Sequence, residues 1–188
     1  MIHELKEIIK QAVINQQKGL KNVLATVVFL EGSSYRKPGV RMLISEDLSS
    51  VGAVSGGCVE KEIIHRATTV FRDNKPKVIT YDGRYKLGCE GILYVLIEPF
   101  FVTNQFISAF SKANSKRESL QLTSYFKKEN EVFGEFGTSV TFKNKQQFAF
   151  TKTVITKSDV AVYNQVLQPA FKLIIIGGEH DAVKLCKI

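Results

Sequence analysis

Residues 23–30 form a run without a charge and with one polar side chain, Thr26. A strand that apolar is stable only with both faces covered, so it belongs in the middle of a sheet with a layer on each side. The rest of the chain must therefore supply neighbouring strands and at least two covering layers. Residues 40–45, 51–55, 77–81 and 92–97 are further short runs rich in β-branched residues, the first two read as a hairpin. Residues 2–18 place Ile2, Leu5, Ile8, Ile9, Ala12 and Val13 at helical spacing before Gly19, and residues 59–72 do the same with Val59, Ile63, Ala67, Val70 and Phe71. The predicted fold class is α/β: a mixed sheet with helices near 4–18 and 59–72 packed on it.

The texture changes after Glu98-Pro99. A helix is predicted over 104–114 from Phe106, Ile107, Phe110 and Ala113. Residues 120–126, 131–136, 139–142 and 147–155 then alternate, rich in Phe and Thr, and read as an antiparallel meander. Residues 158–167 lack a clear period and are assigned, if to anything, to a short helix broken at Pro169. Residues 172–176 are a fresh apolar strand followed by Gly177-Gly178-Glu179-His180 and a helix start. That is the layout of the first βα unit of a dinucleotide-binding fold, although Glu179 stands where the fingerprint needs its second glycine. The predicted division is 1–168 as one domain and 169–188 as the first βα unit of a truncated Rossmann-like domain. Its apolar residues are expected to extend the main sheet or to pack on another chain.

With 188 residues, 44% hydrophobic and 23% charged, the chain is long enough for a core without staples. A formal charge of +8 favours an anionic partner, but no long basic run points to nucleic acid. Cys58, Cys89 and Cys186 are an odd set, and the first eighteen residues are amphipathic rather than signal-like. A cytoplasmic protein with free thiols and no membrane span is expected.

Three small-residue loops follow or precede the predicted strands. Gly32-Ser33-Ser34-Tyr35-Arg36-Lys37-Pro38-Gly39-Val40-Arg41-Met42 combines backbone freedom, two hydroxyls and three cations, which suits an anionic group. Ser55-Gly56-Gly57-Cys58-Val59-Glu60 leaves a strand and opens a helix, so backbone N–H groups and the helix dipole would lower the Cys58 pKa. Leu87-Gly88-Cys89-Glu90-Gly91 holds a second thiol. Taken singly, a Gly-Ser loop is an ordinary turn, exposed cations are the norm, and a lone cysteine is a small buried hydrophobe. Cys186 is read as core; His3, His65 and His180 are scattered and read as surface or turn residues.

Taken in order, the three loops with Glu98-Pro99 resemble the XdhC/CoxI family, the xanthine dehydrogenase accessory proteins. The resemblance runs over about 20–100 and resumes near 168, where Leu173-Ile174-Ile175-Ile176-Gly177-Gly178-Glu179-His180 is similar to the start of that family's second domain. It departs at Glu90 and at Glu179, where the family has glycine and a Gly-Ala-Gly-His-like turn. The resemblance implies a non-catalytic factor that binds molybdenum cofactor (molybdopterin). Such a factor assists sulfuration of the cofactor and its insertion into a xanthine dehydrogenase-type molybdenum hydroxylase. A cysteine desulfurase and a homodimer are further implied partners. NAD(P) is not expected to bind. The cofactor-binding set is Gly32, Ser33, Ser34, Arg36, Lys37, Gly39, Arg41, Ser55, Gly56 and Gly57. Cys58 is the reactive thiol, as metal ligand or sulfur acceptor, with Cys89 its neighbour. Two competing classes are a nucleotide-dependent oxidoreductase and a basic protein-interaction module without cofactor.

Overall fold

The computed structural model describes residues 2–35, 37–55, 57, 59–85, 91–151 and 159–187. Its elements run α1 (Ile2–Gln17), β1 (Asn22–Glu31), β2 (Arg41–Ser45), β3 (Ser50–Gly52), α2 (Glu60–Asp73), β4 (Lys77–Asp82), β5 (Ile92–Pro99), α3 (Asn104–Ser115), β6 (Leu120–Phe126), β7 (Val132–Phe133), β8 (Gly137–Thr141), β9 (Gln147–Ala149), β10 (Ala161–Leu167) and α4 (His180–Leu185). They make an α/β fold with two sheets, ordered β3-β2-β1-β5-β4-β7 and β10-β6-β8-β9. Every pairing among them is antiparallel. For β1–β2, β2–β3, β4–β5, β6–β8 and β8–β9 the short connection requires this, because a parallel return needs a crossover of a dozen or more residues; β1–β5, β4–β7 and β6–β10 pair across longer stretches of chain.

β1 sits in the middle of the first sheet and is buried along most of its length. One face carries Val23, Ala25, Val27, Ile79, Val95 and Ile97, and α2 covers it with Ile63, Ala67, Val70 and Phe71. The other face carries Leu24, Val28, Leu43, Val78 and Leu96 and packs against α1, α3 and the second sheet. A β-bulge between Val27 and Phe29 turns Phe29 toward the second-sheet side, where its ring meets Tyr94 edge-on. The second sheet is covered on one side only: along β6 and β10, alternate residues face inward.

Four expectations of the fold need correction, the first being Cys186, expected in the core and exposed at the C-terminal end of α4. The run 131–136 contributes only Val132–Phe133, and this strand pairs with β4 in the first sheet rather than joining the meander. Residues 158–167 hold no helix among those described: Ala161–Leu167 is a seven-residue strand on β6. Its apolar residues fall on both faces, Val162 and Val166 outward and Leu167 inward, which hides the period of two. Residues 172–176 form no strand and extend neither sheet; Ile176 is 93% exposed, and only the helix start at His180 is as predicted. No helix among the described residues is long and apolar enough to cross a membrane.

Candidate functional site

The strand register carries all three loops to one end of the first sheet. β1 finishes at Glu31 opposite Ile92, where β5 begins. β2 begins at Arg41 opposite Thr26, and β3 finishes at Gly52 opposite Met42. β4 finishes at Asp82, also opposite Ile92. The loop 32–40, the loop 53–59 and the loop 83–91 therefore leave or enter the sheet at the same edge. The first and third touch. A Cβ on Gly91 would lie 2.6 Å from the Ser33 carbonyl oxygen and 2.7 Å from that of Glu31. Only glycine lets the two backbones come so close. The Gly83 amide donates to the Gly91 carbonyl at 3.0 Å and closes the third loop.

In the first loop, Gly32 (φ +81°) and Gly39 (φ +100°) hold the left-handed geometry that the sequence assigned to them. The returning limb is tied down, with the Gly39 amide donating to Val27 O at 2.8 Å and the Val27 amide to Val40 O at 3.1 Å. Ser33, Tyr35 and Lys37 are exposed and Ser34 is half-buried. Arg41 is not on this surface. Strand alternation sends its side chain between the sheets, where it is 6% exposed. Its Nη1 donates to Gly39 O at 2.8 Å and to Gln165 Oε1 at 2.7 Å. Burial lowers its pKa to about 10, against the opposing pull of Tyr163, Glu98 and Glu4.

The second loop is organised by Glu60, in the first turn of α2. Its Oε1 accepts from the amides of Ser55 at 2.7 Å and Val54 at 3.2 Å, and its Oε2 accepts from Ser55 Oγ at 2.7 Å. Ser55 Oγ in turn accepts from the amides of Gly57 at 3.1 Å and Val59 at 3.3 Å. Burial pushes the Glu60 carboxyl up, but the hydrogen bonds from Ser55 outweigh it and hold it below the usual carboxylate range. The Ser55 hydroxyl is thus committed to shaping the loop. Gly57, at φ +121°, is exposed beside it. In the third loop, Asp82 accepts two bonds from the Arg84 guanidinium at the mouth of the turn, and these hold its carboxyl low.

Arg36, Gly56, Cys58 and Cys89 lie outside the described residues. Of the other predicted site residues, the fold gathers Gly32, Ser33, Ser34, Lys37, Gly39, Ser55 and Gly57 at one edge, and places Arg41 beneath it. Among the described residues no cluster of three His, Cys, Asp or Glu side chains suits a metal ion. Among the described residues, surface clefts lie between α3 and 142–146, beside 19–23 and Phe71, and along 165–172. The described part of the edge itself carries small residues with hydroxyl, amide and cationic groups.

From sequence, Glu60 is named only as the last residue of the second loop, and Glu31, Tyr163 and Gln165 are not singled out. Glu31 accepts from Tyr94 Oη at 3.0 Å. The position of Glu60, five residues after Ser55 across a double glycine, was the one available signal, since an acid there can reach back to the loop amides.

The XdhC and CoxI family model matches residues 16–82. A probable xanthine dehydrogenase component from Bacillus subtilis (strain 168) is 38% identical over 84 residues, covering 40% of this chain and 26% of that protein. A crystal structure of a xanthine dehydrogenase from Bacillus halodurans superposes with a TM-score of 0.60 at 21% identity, over 86% of this chain and 53% of that one. At that identity the likeness is one of fold, and it extends across both sheets. The matched regions span about a quarter of the first relative and about half of the second. The family match falls on the segment that carries β1 to β4 and the first two loops of the rim.

Proposed function

We propose that this protein is an accessory factor in the maturation of a xanthine dehydrogenase-type molybdenum hydroxylase, and that it binds molybdenum cofactor at the rim of the first sheet. The observation that carries the reading is the convergence of the loops 32–40, 53–59 and 83–91 at one sheet edge, within and beside the family segment. The residues present fit such a group. Molybdenum cofactor supplies a phosphate and a dithiolene-held metal. Ser33, Ser34 and Lys37 with the amides around Gly32 are donors suited to the phosphate. Cys58 and Cys89 provide soft thiolates for the metal or for its sulfur. Arg36 adds charge to the donors. Ser55 and Glu60 shape the second loop, and Arg41 supports the first from below. The protein has no turnover of its own in this reading; it holds the cofactor until the client enzyme takes it.

The test is a titration of the full chain with isolated molybdenum cofactor, followed by absorbance, beside a titration with NAD(P). Saturable binding of the cofactor and none of the dinucleotide is expected. Each of Arg36→Ala and Lys37→Ala should weaken binding by about tenfold, the worth of one charge-assisted hydrogen bond. Bound cofactor should protect Cys58 from alkylation, and Cys58→Ser should abolish that protected signal. A chain that binds NAD(P) but not molybdenum cofactor would overturn the proposal in favour of the oxidoreductase reading.

A further inference from the structure

The second sheet carries no motif, yet one of its edge strands reaches the rim. Gly39, on the returning limb of the first loop, lies directly against side chains of β10, which a side chain there would have to displace. A Cβ there would lie 2.2 Å from Gln165 Nε2 and 2.7 Å from Tyr163 Oη. The same Gln165 accepts from Arg41 Nη1 at 2.7 Å, and that nitrogen also donates to Gly39 O at 2.8 Å. One guanidinium nitrogen therefore joins the loop backbone to the second sheet. Arg41 Nε and Nη2, buried as well, have no hydrogen-bond partner among the described residues, so the contacts through Nη1 are the directed bonds that fix this side chain. Deeper in the same layer, Glu98 of β5 accepts from the amide and hydroxyl of Thr138 on β8, at 2.9 and 2.6 Å, and Thr138 Oγ1 meets Ser124 Oγ of β6 at 2.8 Å. Polar contacts thus join the two sheets at both places, and of these the outer one touches the loop.

We propose that Gln165 is a positioning residue for the first loop: through Arg41 it fixes the 37–41 limb, and with it the donors of the rim, from the second sheet. A hydrogen bond between a charged and a neutral group in a buried layer is strong and directional. Here it acts on a loop limb that, ahead of β2, bonds to the first sheet through Val27. Two glycines make that loop mobile unless something outside it fixes its course. Gln165 is half-buried on an edge strand, so its loss leaves the apolar core of both sheets in place. The rim's role in binding rests on the function proposed above; the mechanical coupling of Gln165 to the loop does not.

The test uses the full chain. Gln165→Met keeps the volume and removes the acceptor, Gln165→Asn keeps the polarity and falls short by one methylene, and Gln165→Glu keeps the acceptor and pairs with Arg41. Amide hydrogen exchange at Val27 and Gly39 should quicken by about tenfold in the Met and Asn variants, the effect of losing a bond to a charged group. In the Glu variant exchange should stay close to the parent rate, and amides of α1 and α2 should be unchanged in all three. Affinity for molybdenum cofactor should follow the same order. Unchanged exchange at Gly39 in the Met and Asn variants, or faster exchange spread evenly over α1 and α2, or failure of Gln165→Glu to keep protection, each overturns the proposal. If the parent chain does not bind the cofactor, the function proposed above fails, while the exchange rates still decide whether Gln165 positions the loop.

Discussion

Residues 23–30 and residues 171–176 have nearly the same texture and opposite fates. Both are apolar and rich in β-branched residues. The first is the centre of a six-stranded sheet, with Leu24 and Val27 wholly buried. The second forms no strand and is unpaired among the described residues, with Leu173 and Ile176 in solvent. β-propensity describes fitness for a pleated, half-buried surface; it does not supply the neighbour. β1 has β2 on one side, β5 on the other, α2 above and the second sheet below. The 171–176 run pairs with no strand among the described residues, and Phe171, Leu173, Ile174 and Ile176 are exposed. At about 25 cal/mol per Å² of apolar surface, it is a stretch with large affinity for a cover.

The largest test of this contrast is core truncation. Leu96→Ala, in the layer between the sheets, should cost about 2–5 kcal/mol in urea unfolding, whereas Ile174→Ala should change stability by less than about 0.5 kcal/mol. Comparable losses at the two positions would show that the tail is packed after all.

The buried layer also predicts a pH signature that the exposed tail lacks. Burial raises the Glu98 carboxyl to about 7, although Thr138 and Arg41 pull it down. Because the folded value lies above the ordinary carboxylate value, the folded chain binds more protons than the unfolded one between them. The stabilisation is complete below the unfolded value near 4.5 and is lost as pH rises through about 7. The stability difference between the parent chain and Glu98→Gln should shift against the parent by about 3 kcal/mol from pH 4.5 to 7.5, read from urea midpoints. Glutamine can still accept from the Thr138 amide and donate to its hydroxyl, so the variant folds. A difference that does not move across this window would mean that Glu98 remains ionised throughout.

Glycines sharpen the comparison at a smaller scale. Gly91→Ala forces a Cβ onto two backbone carbonyls of the first loop and should cost about 1–3 kcal/mol as an overpacked site. Gly178→Ala meets open space and should leave the unfolding midpoint where it is. Equal tolerance at both positions would separate the first and third loops of the rim.

Much of the site was legible as composition and order. The small-residue loops, their hydroxyls and cations, and the strands and helices flanking them are local features, set by periodicity and by where glycine is needed. The identity of Arg41 as a buried tie was not legible. A guanidinium reads as exposed by residue type, and only the pairing of Arg41 with Thr26 shows that its side chain falls between two sheets. Gln165 was illegible for a related reason: β10 carries valines on its outer face, so its period is obscured, and its partner β6 lies about forty residues away in sequence. The bulge at Val27/Phe29 leaves no mark in a run that is apolar on both faces.

The sequence by itself determined that residues 23–30 must be a covered central strand, that 2–18 and 59–72 must be amphipathic helices, and that three small-residue loops stand at strand ends, because spacing and side-chain type act over a few residues. Only the tertiary structure decided that those loops share one edge, that Arg41 joins the first of them to Gln165 of a second sheet, and that the apolar run at 172–176 goes without a partner among the described residues. Those outcomes depend on which strand pairs with which, and in an antiparallel fold that choice is made between segments far apart in the chain, by the layers available to cover them.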